Sequence, residues 1–257
     1  MIGFFIKKAF FDGWDHLYAL AAFNGISLLV TLLLFVLPAA LGAPLWILAS
    51  AAALGILALS VWNAAVTVSM YRVADGGAAR LRDVKDAIPR ALKPGLALGG
   101  IYLLYGIALT VALPFYISRG AMWAFFVAGI LFWTMLIGLF ILQYVPAILA
   151  RDEGTLRQAF RTALYLFVDN AGFSVFLLIW RAITLALSAA TMFFAPGFAG
   201  ASLASAVAVR LRMKKYGYLK ERPDANRHRI PWDELLEEER EMVGTRTLRS
   251  MIFPWKD

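Results

Sequence analysis

The chain has 257 residues, of which 61% are hydrophobic and 16% are charged, and it has no cysteine. A soluble domain carries about 25% charged residues, so this composition excludes an ordinary soluble fold, and the missing cysteine excludes disulfides and thiol chemistry. The net charge of +8 does not indicate nucleic acid, because the basic residues lie between and after the apolar runs, where they orient a membrane protein.

The first 71 residues predict a surface helix and two membrane spans. Met1 to His16 is expected to lie at the membrane interface, with aromatic anchors around two lysines. The charge-free run from Leu17 to Tyr71 is long enough for two crossings of about 20 residues each. The first span is predicted at about Leu17–Pro38 and the second at about Leu45–Met70, joined by an uncharged turn.

The next segment predicts a second surface helix followed by a hairpin of two spans. Between Arg72 and Lys93, apolar residues recur at helical spacing among charged ones, which is typical of a short amphipathic helix on a membrane surface. Pro89 is expected to kink or end this helix. The third and fourth spans are predicted at about Leu96–Tyr116 and Ala121–Leu149.

A third amphipathic helix and the last two spans follow. Apolar residues from Leu156 to Phe167 line one helical face, and the pattern is interrupted at Asp169. The fifth span is predicted from Ala171 to about Phe194, and the sixth from Gly197 to beyond Val209. Pro196 either lies in the turn between them or kinks a sixth helix that starts nearer Ser188.

The sequence divides into a transmembrane domain, residues 1–218, and a polar cytosolic tail, residues 219–257, with a short helix over Pro231–Val243. The tail combines bulky apolar residues with six acids between Asp233 and Glu241, so it is expected to dock on the chain's own basic surface or on a partner. A solvated, mobile helix is the alternative. The arginines expected to face these acids are Arg80, Arg82, Arg90, Arg157 and Arg161.

The positions of the basic residues predict the topology. Apart from Arg119 and Arg181, the 23 remaining Lys and Arg residues lie in four segments: the N-terminal segment, Arg72–Lys93, Arg151–Arg161 and the segment from Arg210 onward. These four segments share one side of the membrane only if the number of spans is even. By the positive-inside rule that side is the cytoplasm. The fold class is therefore all-α: a polytopic membrane helical bundle of six transmembrane helices with short cytosolic amphipathic helices and both termini in the cytoplasm.

Several local patterns resemble a known family. Asn24 lies in the first span and Pro38 closes it, and the remaining patterns are Tyr71-Arg72 before Asp75-Gly-Gly77, Leu156-Arg-Gln-Ala-Phe160 and Arg212-Met-Lys-Lys-Tyr216. Together, across about Phe4 to Tyr218, they resemble the YesL-like family of bacterial multi-pass membrane proteins, a domain of unknown function. The resemblance implies a place in the bacterial cytoplasmic membrane and an accessory role in carbohydrate uptake, and it assigns no catalytic residue.

Motifs for catalysis and metal binding are absent from the sequence. The two histidines, His16 and His228, are far apart, and no spacing of His, Asp and Glu fits a zinc site. No glycine-rich phosphate loop is present, and the serines of the spans have no neighbouring base. We therefore expect no enzymatic activity, no cofactor and no metal.

Arg181 is the one charge that falls inside a predicted span. A charge at that depth costs at least about 2.5–3.5 kcal/mol, so it needs a partner or a water-filled cavity. It either binds an anionic ligand along a transport path, or snorkels to the outer interface, or makes packing hydrogen bonds. The polar residues of other spans that are candidates for its site are Asn24, Asn63 and Gln143. The asparagines are expected to make interhelical hydrogen bonds, and Gly95 and Gly99 to allow close helix packing.

Three functions are compatible with these features. The leading hypothesis is a non-enzymatic accessory or interaction protein of a membrane complex. Its expected partners are the lipid bilayer and a membrane transporter, which the family resemblance implies is a carbohydrate transporter. The alternative is a small membrane transporter with a polar path around Arg181. A membrane enzyme acting on lipid is the third and weakest.

Overall fold

The computed structural model of the chain describes residues 1–152, 154–222, 224, 226, 230–244 and 246. Within these residues all regular secondary structure is helical. The helices are α1 Ile2–Asp15, α2 Leu17–Ala40, α3 Leu45–Ala74, α4 Leu81–Ser118, α5 Met122–Leu142, α6 Val145–Asp152, α7 Leu156–Asp169, α8 Ala171–Ala189, α9 Gly197–Glu221, α10 Trp232–Leu235 and α11 Glu237–Val243.

Five segments are long and apolar enough to cross a membrane: α2, α3, α4, the α5–α6 pair and α8. The all-helical fold with several candidate membrane-spanning helices is confirmed, and five of the six predicted spans correspond to such a helix in the described part of the chain. The apolar part of α9 ends at Arg210, 13 residues after its start, which is a length of about 20 Å against a hydrocarbon core of about 30 Å. Pro196 lies in the connection between α8 and α9, as the first of the two alternatives predicted.

Helix α9 is the centre of the bundle. Every residue from Ala201 to Val209 is buried, and α9 packs against α1, α2, α3, α6 and α8. Its buried side chains are mostly alanine, serine and valine, and such small residues let helices approach closely. Because α9 is surrounded by protein rather than by lipid, it needs less apolar length than the helices around it.

Helix α4 corrects one prediction. The expected surface helix and the third span are a single helix, which runs unbroken through Pro89 and Pro94. Both prolines are tolerated because the buried face of α4 stays packed along α3, the most extensive helix pair in the described part of the chain. Pro89 therefore does not end the helix.

The basic segments meet at one end of the bundle, which we call the basic face. Arg72 at the end of α3 pairs with Asp83 of α4 at 2.8 Å. Lys215 of α9 pairs with Asp169 of α7 at 2.6 Å. Arg210 of α9 pairs with Asp75 in the loop after α3. The ends of α3, α7 and α9 and the start of α4 therefore lie on the same side.

The tail docks on the basic face, as predicted, but on different residues. Glu239 of α11 contacts Lys8 of α1 at 3.3 Å, Arg210 at 2.7 Å and Lys214 at 3.1 Å, rather than the arginines of α4 and α7. The tail follows α9 directly and folds back onto the basic end of that helix and onto α1. The apolar residues predicted from Leu248 onward lie outside the described residues, and the predicted domain boundary at residue 218 falls inside α9.

Burial in α2, α3 and α4 is concentrated in the half of the bundle next to the basic face. In α2 the buried residues lie between Leu20 and Ser27, and none lies in 28–40. In α3 none lies in 45–54, and in α4 none lies in 100–118. We call these three stretches without buried residues the loose half. The hydrophobic core lies in the half beside the basic face.

Candidate intramembrane polar site

Arg181 lies in the middle of α8, ten residues after the helix begins at Ala171. Ten residues of helix span about 15 Å, which is half of a hydrocarbon core of about 30 Å. Its Nε atom is buried and has no hydrogen-bond partner within the described part of the chain. Arg181 thus places a buried hydrogen-bond donor near the middle of a candidate membrane-spanning helix.

A cavity of about 310 Å³ opens beside Arg181, between α2, α3, α4, α8 and α9. Five polar and five apolar residues line it, and most of the wall surface is apolar. The polar residues are Ser27, Ser60, Asn63, Tyr102 and Arg181. The apolar residues are Ile56, Leu59, Leu185, Phe198 and Ala201.

Arg181 is the one charged residue among those that line this cavity, and none of them is an acid. The hydroxyls of Ser27 and Ser60 donate to carbonyls of their own helices, at 3.2 and 2.7 Å. Asn63 accepts a hydrogen bond from Ser202 of α9 at 2.9 Å. A guanidinium without a counter-ion in a partly apolar cavity is suited to bind an anion.

Two of the predicted polar residues lie away from this cavity. Asn24 of α2 braces the loop before α9: its Nδ2 donates to the carbonyls of Phe194 at 3.0 Å and Pro196 at 2.8 Å, and its Oδ1 accepts from the Ala199 backbone N–H at 2.9 Å. Gln143, after α5, donates to the backbone carbonyl of Ser174 at 3.0 Å. Of the four candidates, the structure therefore brings only Asn63 and Arg181 together, and the expected interhelical hydrogen bonds of the two asparagines are present.

Three further cavity residues, Ser27, Ser60 and Tyr102, were not singled out by sequence. The two serines do carry a signal, because Ser27 lies three residues after Asn24 and Ser60 lies three residues before Asn63. Residues three apart share a helical face. Tyr102 has no such neighbour, and only the packing of α4 on α3 reveals its position.

A second charged cluster lies at the basic face and holds the tail. The Glu239 side chain is 0% exposed. Burial alone would raise the pKa of Glu239, but Lys8, Arg210 and Lys214 outweigh it and hold that pKa below its usual range. Beside it, burial raises the pKa of Asp12, although Lys8 lies 3.1 Å away. The cluster pairs the charges of α1, α9 and the tail with one another, so we interpret its role as structural.

Arg212 of α9 also lies in this region. Its guanidinium stacks over the Phe173 ring, 4.1 Å from the centroid, and lies 5.7 Å from the Trp232 ring of α10. Cation–π contacts of this kind stabilise a partly buried arginine, so Arg212 joins α8, α9 and the tail.

Within the described ranges, no group of three or more His, Cys, Asp or Glu side chains is placed to hold a metal ion. Comparison of the chain with family models, with curated proteins and with solved structures finds no match. The site is therefore interpreted from its own geometry.

Proposed function

We propose that the chain binds an anionic ligand within the membrane, at the Arg181 cavity, and acts as a small membrane transporter or ligand-binding protein. The observation that supports this is the buried Arg181 Nε without a partner, beside a cavity of about 310 Å³ whose lining contains no acid. Burying an uncompensated charge is costly, and an anion would supply the missing pairing. The proposal involves no chemical step.

The membrane arrangement is part of the same proposal. Helix α9 forms the sixth span, the basic face lies in the cytoplasm, and both termini lie on that side of a bacterial cytoplasmic membrane. The gathering of basic residues at one end supports this orientation, because such residues are retained on the cytoplasmic side.

The accessory role in a membrane complex, with its link to carbohydrate uptake, rests on the family resemblance. Co-purification of a transporter subunit with the tagged chain tests that role. Stabilisation of the purified protein by neutral sugars, rather than by anions, would favour it over the anion site.

A binding experiment tests the anion site. Thermal unfolding of the purified protein is followed with and without a panel of carboxylates and phosphates. A ligand at about 100 times its Kd adds about 2.7 kcal/mol of stability. We expect such an anion to stabilise the native protein and to lose its effect in Arg181→Gln, with partial recovery in Arg181→Lys.

The control is Arg119→Gln, which removes an arginine whose guanidinium lies over the Phe115 ring at the opposite end of the bundle from the basic face. It should leave anion stabilisation unchanged. If the anions stabilise Arg181→Gln as much as the native protein, the proposed site is wrong. Uptake of the same anion into proteoliposomes separates transport from binding alone.

A further inference from the structure

The walls of the Arg181 cavity are mostly apolar. Ile56 and Leu59 of α3 and Leu185 of α8 lie on its apolar side. At about 30 Å³ for each water, a cavity of about 310 Å³ holds the equivalent of about ten waters, more than a carboxylate or phosphate group fills. A small inorganic anion would pair with Arg181 but leave the apolar wall uncovered.

The cavity is closed toward the basic face. Thr67 lies one helical turn beyond Asn63 in that direction and is 1% exposed. Leu177 lies one turn from Arg181 on the same side and is 0% exposed. A ligand from that side would have to pass through close-packed side chains.

In the other direction, the neighbouring parts of α2, α3 and α4 belong to the loose half of the bundle. The stretches 28–40 of α2, 45–54 of α3 and 100–118 of α4 contain no buried residue. Their side chains are mostly apolar, so this side of the cavity suits an apolar chain rather than a hydrated solute.

We infer that the cavity takes an amphiphilic anion, a carboxylate or phosphate ester with an apolar chain. The charged group pairs with Arg181, and the chain lies along Ile56, Leu59 and Leu185 toward the loose half of the bundle. This inference rests on the proposed anion site and specifies the class of its ligand and the side from which it arrives.

Because the chain has no cysteine, single cysteine variants can report on the cavity. Ser60 and Thr67 form a matched pair on one face of α3, seven residues apart. Each hydroxyl donates to the carbonyl four residues earlier, Ser60 to Ile56 at 2.7 Å and Thr67 to Asn63 at 2.6 Å. Ser60 lines the cavity and Thr67 lies in the closed layer.

Both variants are placed in nanodiscs of phosphatidylcholine and treated with two thiol reagents that carry the same alkyl chain, one ending in a sulfonate and one in a quaternary ammonium. We expect Ser60→Cys to react with the sulfonate at least tenfold faster than Thr67→Cys, and faster than with the cationic reagent. In the double variant Ser60→Cys, Arg181→Gln, the preference for the anion should disappear. Equal reactivity of Ser60→Cys and Thr67→Cys would show that the cavity is not closed toward the basic face, and the inference would be wrong.

Protection of Ser60→Cys then identifies the ligand class. Myristate should slow the reaction about tenfold, whereas acetate at the same concentration and tetradecanol, which has the chain without the charge, should not. If acetate protects as well as myristate, the anion site stands and the amphiphile inference is wrong. If tetradecanol protects as well as myristate, the charge is not recognised and the inference is also wrong. Without charge preference or protection by any anion, both the inference and the proposed function fail.

Discussion

Asn24 and Asn63 show how one residue type serves two purposes in the same bundle. Asn24 is 1% exposed and satisfies three backbone groups at the start of α9. Asn63 makes one hydrogen bond, to Ser202, and lines the cavity. Both sit in otherwise apolar spans, and the sequence alone treats them as equivalent.

The two asparagines should therefore differ in their contribution to stability. Asn24→Ala leaves the Phe194 carbonyl and the Ala199 N–H without partners at about 1–3 kcal/mol each, so we expect a loss of about 2 kcal/mol or more. The Pro196 carbonyl keeps its hydrogen bond from the Gly200 N–H. Asn63→Ala removes one interhelical hydrogen bond, which is worth about 0.6–1.7 kcal/mol in membrane proteins. Thermal unfolding of both variants in the same detergent measures the difference, and equal losses would contradict the bracing role of Asn24.

Glu239 should decide whether the tail stays docked. Glu239→Gln keeps the shape of the side chain but removes the charge shared by Lys8, Arg210 and Lys214, and breaking such a buried pair costs about 3–5 kcal/mol. Trypsin cleavage at Arg240 should then become much faster. The control is Glu238→Gln: Glu238 pairs with Lys214 at 2.8 Å but is exposed, so its removal should change cleavage little.

The same contact has a defined pH dependence. Because the pKa of Glu239 is lowered in the folded protein, its ionised side chain stabilises the docked tail at every pH above the ordinary glutamate pKa of about 4.3. This stabilisation is lost only as the pH falls through the lowered pKa of Glu239. Protection of Arg240 should therefore be unchanged between pH 7 and pH 5, and loss of protection in that interval would show that another group controls docking.

At the scale of helices, glycine fixes how closely α3 and α4 approach. A Cβ at Gly95 would lie 2.6 Å from the Val61 Cα atom, whereas a Cβ at Gly100 would meet nothing within 4 Å. Gly95→Ala should destabilise the protein by about 1–3 kcal/mol through overpacking. Gly100→Ala should be neutral or stabilising by about 0.5–1 kcal/mol. Thermal unfolding distinguishes them, and a harmless Gly95→Ala would show that the two helices are less tightly packed.

The sequence predicts lipid-facing helices better than the helix they surround. Charge-free runs locate α2, α3 and the α5–α6 pair because lipid demands long apolar segments. Helix α9 has too short an apolar stretch to meet that criterion, since its neighbours replace the lipid. The path of α4 through Pro89 was not predictable either, because packing on α3 rather than local preference maintains the helix.

The candidate site was predicted in part for a related reason. A lone arginine in an apolar run is conspicuous, so Arg181 was identified directly. The inward face of a helix that is apolar all round leaves no periodic pattern, so Tyr102 could not be assigned to the cavity. Gln143 was grouped with Arg181 because a buried polar residue indicates an interior position without specifying its neighbours.

At the scale of the molecule, reporter fusions test the six-span arrangement. Fusions after Gly77, Gly154 and Asp257 should report the cytoplasm, and fusions after Gly42 and Arg119 the opposite side. The fusion after Asp257 is decisive for α9, since five spans would place it across the membrane from Gly77. An extracytoplasmic signal there would remove α9 from the spans.

The central position of α9 constrains how the protein is made. In chain order, α9 follows every membrane helix that it contacts, so during synthesis those helices reach the bilayer before the element that joins them. Until it arrives, Asn24 and Asn63 lack their partners on the α9 side. A helix with so short an apolar stretch inserts poorly by itself. We therefore expect insertion of α9 to depend on contacts with the helices that entered the membrane before it. A nascent chain that stops before Gly197 would lack the central helix that joins the others. We therefore expect such a chain to be degraded by membrane proteases rather than to retain partial function.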